Sequence, residues 1–209
     1  MSPGPVLFVR PADDASAATL AKWGKRLLAL FPDSFDDVSV GVDRPTIDAF
    51  LRRSPRALVW FGHGRPDALT SMNEAMVDSE NVAGLAGQAI VAVACEAADE
   101  LGSEALRQGV RGFLGFRRIV IWPIAEPGPV GEALVSGLSC LFKSGHHLGC
   151  ARDKLASLFD RAADIHYRQA QDGGFSSLDG SPSHAMLAYM GALSNRDGLR
   201  VVGDELATL

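Results

Sequence analysis

Hydrophobic positions along the chain fall into two kinds of block. Short apolar runs, Pro5 to Arg10, Val38 to Val42, Ala57 to Phe61, Gln88 to Ala94, Gly112 to Phe116 and Leu199 to Val202, have the length and Val/Ile/Phe content of strands buried on both faces. Between them, apolar residues recur at helical spacing. Leu20, Trp23, Leu27, Leu30 and Phe31 share one face over 15–31, and Pro45 stands in the first turn of a short helix carrying Ile47, Phe50 and Leu51. The Cys95 strand leads to a helix with Leu101, Ala105 and Leu106, and helices are predicted near 129–144, 148–171 and 184–194. Residues 65–78 are less regular and read as a small hairpin or lid, and Asp78 or Ser79 is placed to cap a short helix ending at Gly87. Ile119 to Trp122 is read as extended, and 172–183 as a polar loop. Alternating strands and helices predict an α/β fold: one domain over 1–209, three layers, with a mostly parallel central sheet and helices on both faces.

Bulk properties narrow the function. The 209 residues are 47% hydrophobic with a net charge of −5 and scattered basic residues, which disfavours nucleic-acid binding. No apolar run has the length of a membrane span, and the opening MSPGPVLFVRP does not read as a signal peptide. Three cysteines at wide spacing point to reduced thiols and a cytoplasmic protein.

Two strand ends carry chemistry. Gly62-His63-Gly64 follows the third strand; a dinucleotide loop would need a third glycine where Asp67 stands, after the interruption of Pro66, so no nucleotide cofactor is expected. A histidine there lies where open parallel sheets bind ligands, and the flanking glycines would let a substrate backbone approach. Cys95 ends the Gln88–Ala94 run beside an expected helix start, a place where a thiol loses its proton more readily. Alone, a cysteine is more often a small buried hydrophobe. The 32-residue separation from His63 is about one strand–helix–strand unit, which would put the two on adjacent strand ends. Cys140, His146, His147 and Cys150 are metal-capable, but their spacing fits no zinc finger or ribbon, and no metal site is assigned. No G-x-S-x-G elbow supports a serine hydrolase.

The succession Phe61-Gly62-His63-Gly64, Ala94-Cys95 and the Gly112–Phe116 strand resembles the caspase-like cysteine peptidases, in the bacterial branch that includes CHAT-type domains and gingipain-like enzymes. ALRQGVRGFLGF at 105–116 is similar to that branch's helix, glycine turn and Gly-aromatic strand, and Val202-Gly203-Asp204 resembles a Gly-Asp-Pro ending with Glu205 in place of proline. The resemblance implies a cysteine endopeptidase with Cys95 as nucleophile and His63 as acid/base, acting on protein or peptide substrates as a regulated signalling or defence effector, with no cofactor. It implies an oxyanion site at the backbone N–H groups of Gly64 and Cys95, and requires no third catalytic residue. Arg10 ends the first strand, as a pocket arginine does in caspases, and could pair an acidic substrate residue; Asp13 and Asp14 beyond it could favour a basic one, and Arg117 and Arg118 carry the same ambiguity. Glu96-Ala97-Ala98 replaces the small residue and glycine that often follow the family's cysteine, which bears on substrate preference. The tetratricopeptide repeats often joined to CHAT domains are absent, so a regulator would be a separate chain. Two rivals are a catalytically silent caspase-like interaction module and a flavodoxin-like small-molecule binder; the latter requires His63 and Cys95 to lie far apart.

Overall fold

The structure, a computed structural model, describes residues 5–31, 35–122, 128–143, 146–177 and 181–209. Residues 1–4 of the opening segment, residue 144 of the expected helix 129–144 and residues 178–180 of the expected polar loop lie outside the described residues.

The apolar runs form the centre. β1 (Val6–Val9), β2 (Phe35–Val38), β3 (Ala57–Phe61), β7 (Ala89–Val93), β8 (Gly112–Phe116) and β9 (Leu199–Gly203) make a six-stranded sheet in the order β2-β1-β3-β7-β8-β9. All neighbours are parallel except the β8–β9 pair, which is antiparallel. The two-residue period of a strand sorts side chains between two cores. Val6, Phe8, Val59, Phe61, Val91, Val93, Leu114 and Phe116 face one side. There they meet Leu20, Trp23 and Leu27 of α1 (Ala15–Ala29), Val130 and Leu134 of α4 (Gly128–Leu138) and Leu155 and Phe159 of α5 (Leu148–Gly173). Leu7, Val9, Leu58, Trp60, Ile90, Ala92 and Phe113 face the other, against α2 (Arg44–Leu51) and α3 (Glu100–Arg107). The last helix, α6 (His184–Gly198), packs on α5 through Ala162, Ala163 and Ala192. Burying a side chain such as Phe8, Leu58 or Ile90 is worth ~1.5–3 kcal/mol, so the doubly covered strands dominate the stability. The expected α/β architecture, mostly parallel with helices on both faces, is the one observed. No described helix is long and apolar enough to cross a membrane.

Several local expectations are corrected. The second strand lies at Phe35–Val38, not 38–42. It is an edge strand in which Asp36 and Asp37 need no burial, and Val40, read as part of the apolar run, is 89% exposed in the turn that follows. Of the hairpin or lid expected over 65–78 the hairpin is found, with one strand more: residues 63–77 form a three-stranded antiparallel meander, β4 (His63–Arg65), β5 (Ala68–Ser71) and β6 (Glu74–Val77). Its β5–β6 turn uses Met72 and Asn73, both at positive φ, instead of the glycine that usually signals such a turn. Asp78 caps no α-helix: it takes a forked pair from Arg44 at 2.8 and 3.0 Å, tying α2 to the end of the meander, and only a 3-10 turn follows at Val82–Leu85. Ile119 to Trp122 does not extend the sheet. Asn195 of α6, 1% exposed, holds that segment instead: its carbonyl oxygen accepts from the Ile121 N–H (2.8 Å) and its amide donates to the Ile121 carbonyl (2.6 Å).

Asn195→Ala leaves both Ile121 backbone groups without their partner. It is expected to lower unfolding free energy by ~2–3 kcal/mol, read as a lower midpoint in urea denaturation at unchanged slope.

Candidate active site

His63 and Cys95 leave neighbouring strands at the same level. In the parallel β3–β7 pair, Phe61 lies beside Val93, and the Gly62 N–H extends the ladder to the Val93 carbonyl at 3.3 Å. His63 stands two residues beyond Phe61 and Cys95 two beyond Val93. Gly64 lies against the cysteine: a Cβ added to it would sit 2.7 Å from the Cys95 carbonyl oxygen and 2.9 Å from the Ala94 Cβ. At Gly62 a Cβ would meet the Pro11 ring at 2.8 Å and the Trp60 indole nitrogen at 2.9 Å. The close approach expected of a substrate is thus made by the protein's own chain at both glycines, and any side chain there would force the strand ends apart. Buried Trp60 donates its indole N–H to the His63 carbonyl at 3.0 Å, anchoring the backbone that carries the imidazole.

Asp14 holds the ring. Its Oδ2 lies 2.8 Å from His63 Nε2, while its Oδ1 accepts from the Ala17 N–H at 2.8 Å as the N-cap of α1. The Ala17 N–H above all holds the Asp14 carboxyl below the usual carboxylate range; burial opposes it, and the His63 contact adds to the lowering. An ionised carboxylate only accepts, so Nε2 carries the hydrogen and Nδ1 of neutral His63 presents the lone pair. Among the described residues nothing bonds to Nδ1. The imidazole is 35% exposed, open to a ligand at the sheet edge.

Cys95 is half-buried, and its sulfur accepts from the Val120 N–H at 3.4 Å. Burial pushes the thiol up; the Glu96 carboxylate adds to this and the Val120 N–H opposes it. The expected helix start beside the cysteine is displaced. α3 begins only at Glu100, after a turn in which Glu96 adopts φ 57°. That turn is tied down by Glu96 N–H to the Arg118 carbonyl (3.2 Å), Ala98 N–H to that of Phe116 (3.0 Å) and Leu101 N–H to that of Pro66 (2.7 Å). The resting thiol therefore lacks the helix-dipole assistance read from the sequence. Among the described residues the Cys95 N–H has no backbone acceptor.

The proposed pocket residues are engaged within the chain. Arg10 forks onto Asp37 of β2 at 2.8 and 2.6 Å. The Asp13 carboxylate accepts from the Met72 N–H and from the Ser71 hydroxyl (3.3 Å), joining the end of β1 to the meander. Asp14 is bonded to the imidazole. Arg117 and Arg118 are exposed beyond β8, and Arg118 supplies the carbonyl that receives Glu96. Asp13, Asp14 and His63 place three ligand atoms within 4.8 Å of one another, a set that could hold a metal ion. Cys140 is buried with its thiol on the Gly137 carbonyl, whereas Cys150 meets His147. The role of Asp14 was missed as a partner of His63. The clue was the Asp pair just past β1, since a parallel sheet brings the end of β1 beside the end of β3.

No family model matches this sequence, and no curated protein matches it. Among solved structures, the chain is similar to the crystal structure of the Arg-specific cysteine proteinase gingipain R, with a TM-score of 0.50 and 15% identity. The match covers 99% of this chain and 47% of that protein, so the chain spans just under half its length. The likeness is one of fold: the chain has a caspase-like α/β sandwich.

Two outcomes follow from the turn at Cys95. Because burial raises the thiol, the rate of Cys95 alkylation by iodoacetamide in the substrate-free protein, followed by peptide mapping, should keep rising with pH beyond the inflection of a free cysteine. Glu96→Gly removes a left-handed conformation that costs an L-residue ~1–2 kcal/mol, offset by the greater freedom of unfolded glycine, and should raise unfolding free energy by up to ~1 kcal/mol.

Proposed function

We propose that the protein is a cysteine peptidase acting on protein or peptide substrates, with Cys95 as nucleophile, His63 as acid/base and Asp14 as the residue that positions His63. The observation that carries this reading is the level pairing of the β3 and β7 ends, joined to the Asp14–His63 bond that leaves Nδ1 as the basic atom. The Cys95 sulfur attacks the substrate carbonyl carbon as its proton passes to Nδ1, and the carbonyl electron pair moves to oxygen. The Cys95 N–H, free of a backbone partner among the described residues, and the N–H of Gly64, whose backbone lies against Cys95, are the donors assigned to that oxyanion; removing one such donor typically costs ~3 kcal/mol of transition-state stabilisation. Collapse breaks the C–N bond, and the amine departs with the proton from Nδ1. A water then gives its proton to Nδ1 and attacks the thioester, releasing the acid and returning the proton to sulfur.

Arg10 is neutralised by Asp37, while Asp13 and Asp14 stand beside His63. This edge therefore suits a basic residue before the cleaved bond better than an acidic one. A CHAT-like, regulated effector controlled by a separate chain fits a thiol held protonated at rest. That same burial favours a second reading, a catalytically silent interaction module.

A peptide library carrying a thiol-reactive electrophile, with adducts mapped by mass spectrometry, separates the readings. A peptidase labels at Cys95 with preference for Arg or Lys before the reactive group. His63→Ala lowers that rate by at least ~100-fold, and Asp14→Asn, which keeps the helix cap, lowers it by ~10-fold or more. Labelling of Cys95 no faster than free cysteine, with the whole library and with candidate regulators present, would sink the peptidase reading.

A further inference from the structure

Cys150 forms a second thiol–imidazole pair, remote in sequence from the first and unused by the proposed reaction. It is the third residue of the 26-residue helix α5, half-buried, with its sulfur 3.2 Å from Nε2 of His147. The other ring nitrogen of His147, Nδ1, lies 2.8 Å from the Glu205 carbonyl oxygen. A carbonyl can only accept, so at that distance Nδ1 must carry the hydrogen. The 3.4 Å approach of the Cys150 N–H to the same nitrogen is then not a hydrogen bond, because both groups are donors. Neutral His147 therefore turns the lone pair of Nε2 toward the Cys150 thiol.

The Glu205 carbonyl is itself fixed. It accepts from the Gly149 N–H at 2.9 Å, and the Glu205 side chain pairs with Arg152 one turn along α5. Nucleophile, base and orienting acceptor are thus all in place, at the distances that mark an activated thiol. Cys140 provides the contrast within the same chain: it is buried, burial pushes its thiol up, and its S–H is spent on the Gly137 carbonyl at 3.0 Å.

We infer that Cys150 is a modification site, a thiol that reacts with hydrogen peroxide and small soft electrophiles with His147 as its base. With peroxide, the sulfur attacks one oxygen as the S–H proton moves to His147 Nε2. The S–O bond forms, the O–O bond breaks, and the departing hydroxide takes the proton from Nε2 and leaves as water. One thiol and one peroxide give one sulfenic acid and one water: sulfur is oxidised by two electrons and peroxide is reduced by two.

The test treats the intact protein with a small excess of hydrogen peroxide in the presence of dimedone, and separately with iodoacetamide, mapping adducts at Cys95, Cys140 and Cys150 over time. Cys150 is expected to be modified at least about tenfold faster than Cys140 and faster than free cysteine. His147→Asn supplies a good helix cap but removes the base, and should slow Cys150 by about tenfold or more in a protein that stays folded, read as a melting temperature no lower than wild type. Cys150→Ser should abolish that adduct and leave the Cys95 adduct unaltered. Equal rates at Cys150 and free cysteine, or a His147→Asn protein that reacts as fast as wild type, would overturn the inference. Each thiol is read at its own peptide, so this outcome is independent of whether Cys95 proves to be a peptidase nucleophile.

Discussion

The parallel pairing of β3 with β7 is the constraint from which the rest of the site follows. Phe61 beside Val93 brings the chain after each strand to one edge at one height. A one-residue slip of β3 against its neighbours would turn Leu58 and Trp60 toward the opposite core, and one of β7 would do the same to Ile90 and Ala92; either would misplace His63 relative to Cys95 in the same stroke. The burial that stabilises the sheet therefore also sets the geometry of the candidate site. The same logic carries Asp14: β1 is the other neighbour of β3, so the residues after β1 arrive beside the residues after β3.

The central architecture was legible because its strands are buried on both faces and read as unbroken apolar runs. β3, β7 and β8 lie within a residue or two of where composition places them. β2 was displaced because an edge strand bearing Asp36 and Asp37 does not advertise itself by hydrophobicity, while the exposed Val40 does. The meander shows in the sequence only as a less regular stretch suited to a small hairpin or lid, because strands of three or four residues are too short to show alternation, and Met72-Asn73 is not a turn pair that composition signals. At the site, His63 and Cys95 were legible as strand-end residues. The acidity of Cys95 was not, since it depends on the four residues of turn, Glu96 to Asp99, that separate it from α3 and on burial that no local spacing records.

Asp13 and Asp14 show how adjacent residues of one type can be given different work. Both lie past β1, but one carboxylate accepts from the β5–β6 turn and the other from α1 and the imidazole. Neither is a free surface charge, and together they join three elements that the main sheet does not connect. Arg44 does the same at the far end of the meander, so the strand that begins with His63 belongs to a small sheet braced from both sides.

The bracket formed by Asn195 has a mechanical meaning. Its amide grips Ile121, and the neighbouring Val120 N–H is the donor that the Cys95 sulfur receives. Helix α6, segment 120–121 and the sulfur are therefore joined by successive hydrogen bonds, and the same helix runs directly into β9, so the contact at the thiol and the edge of the central sheet share one support.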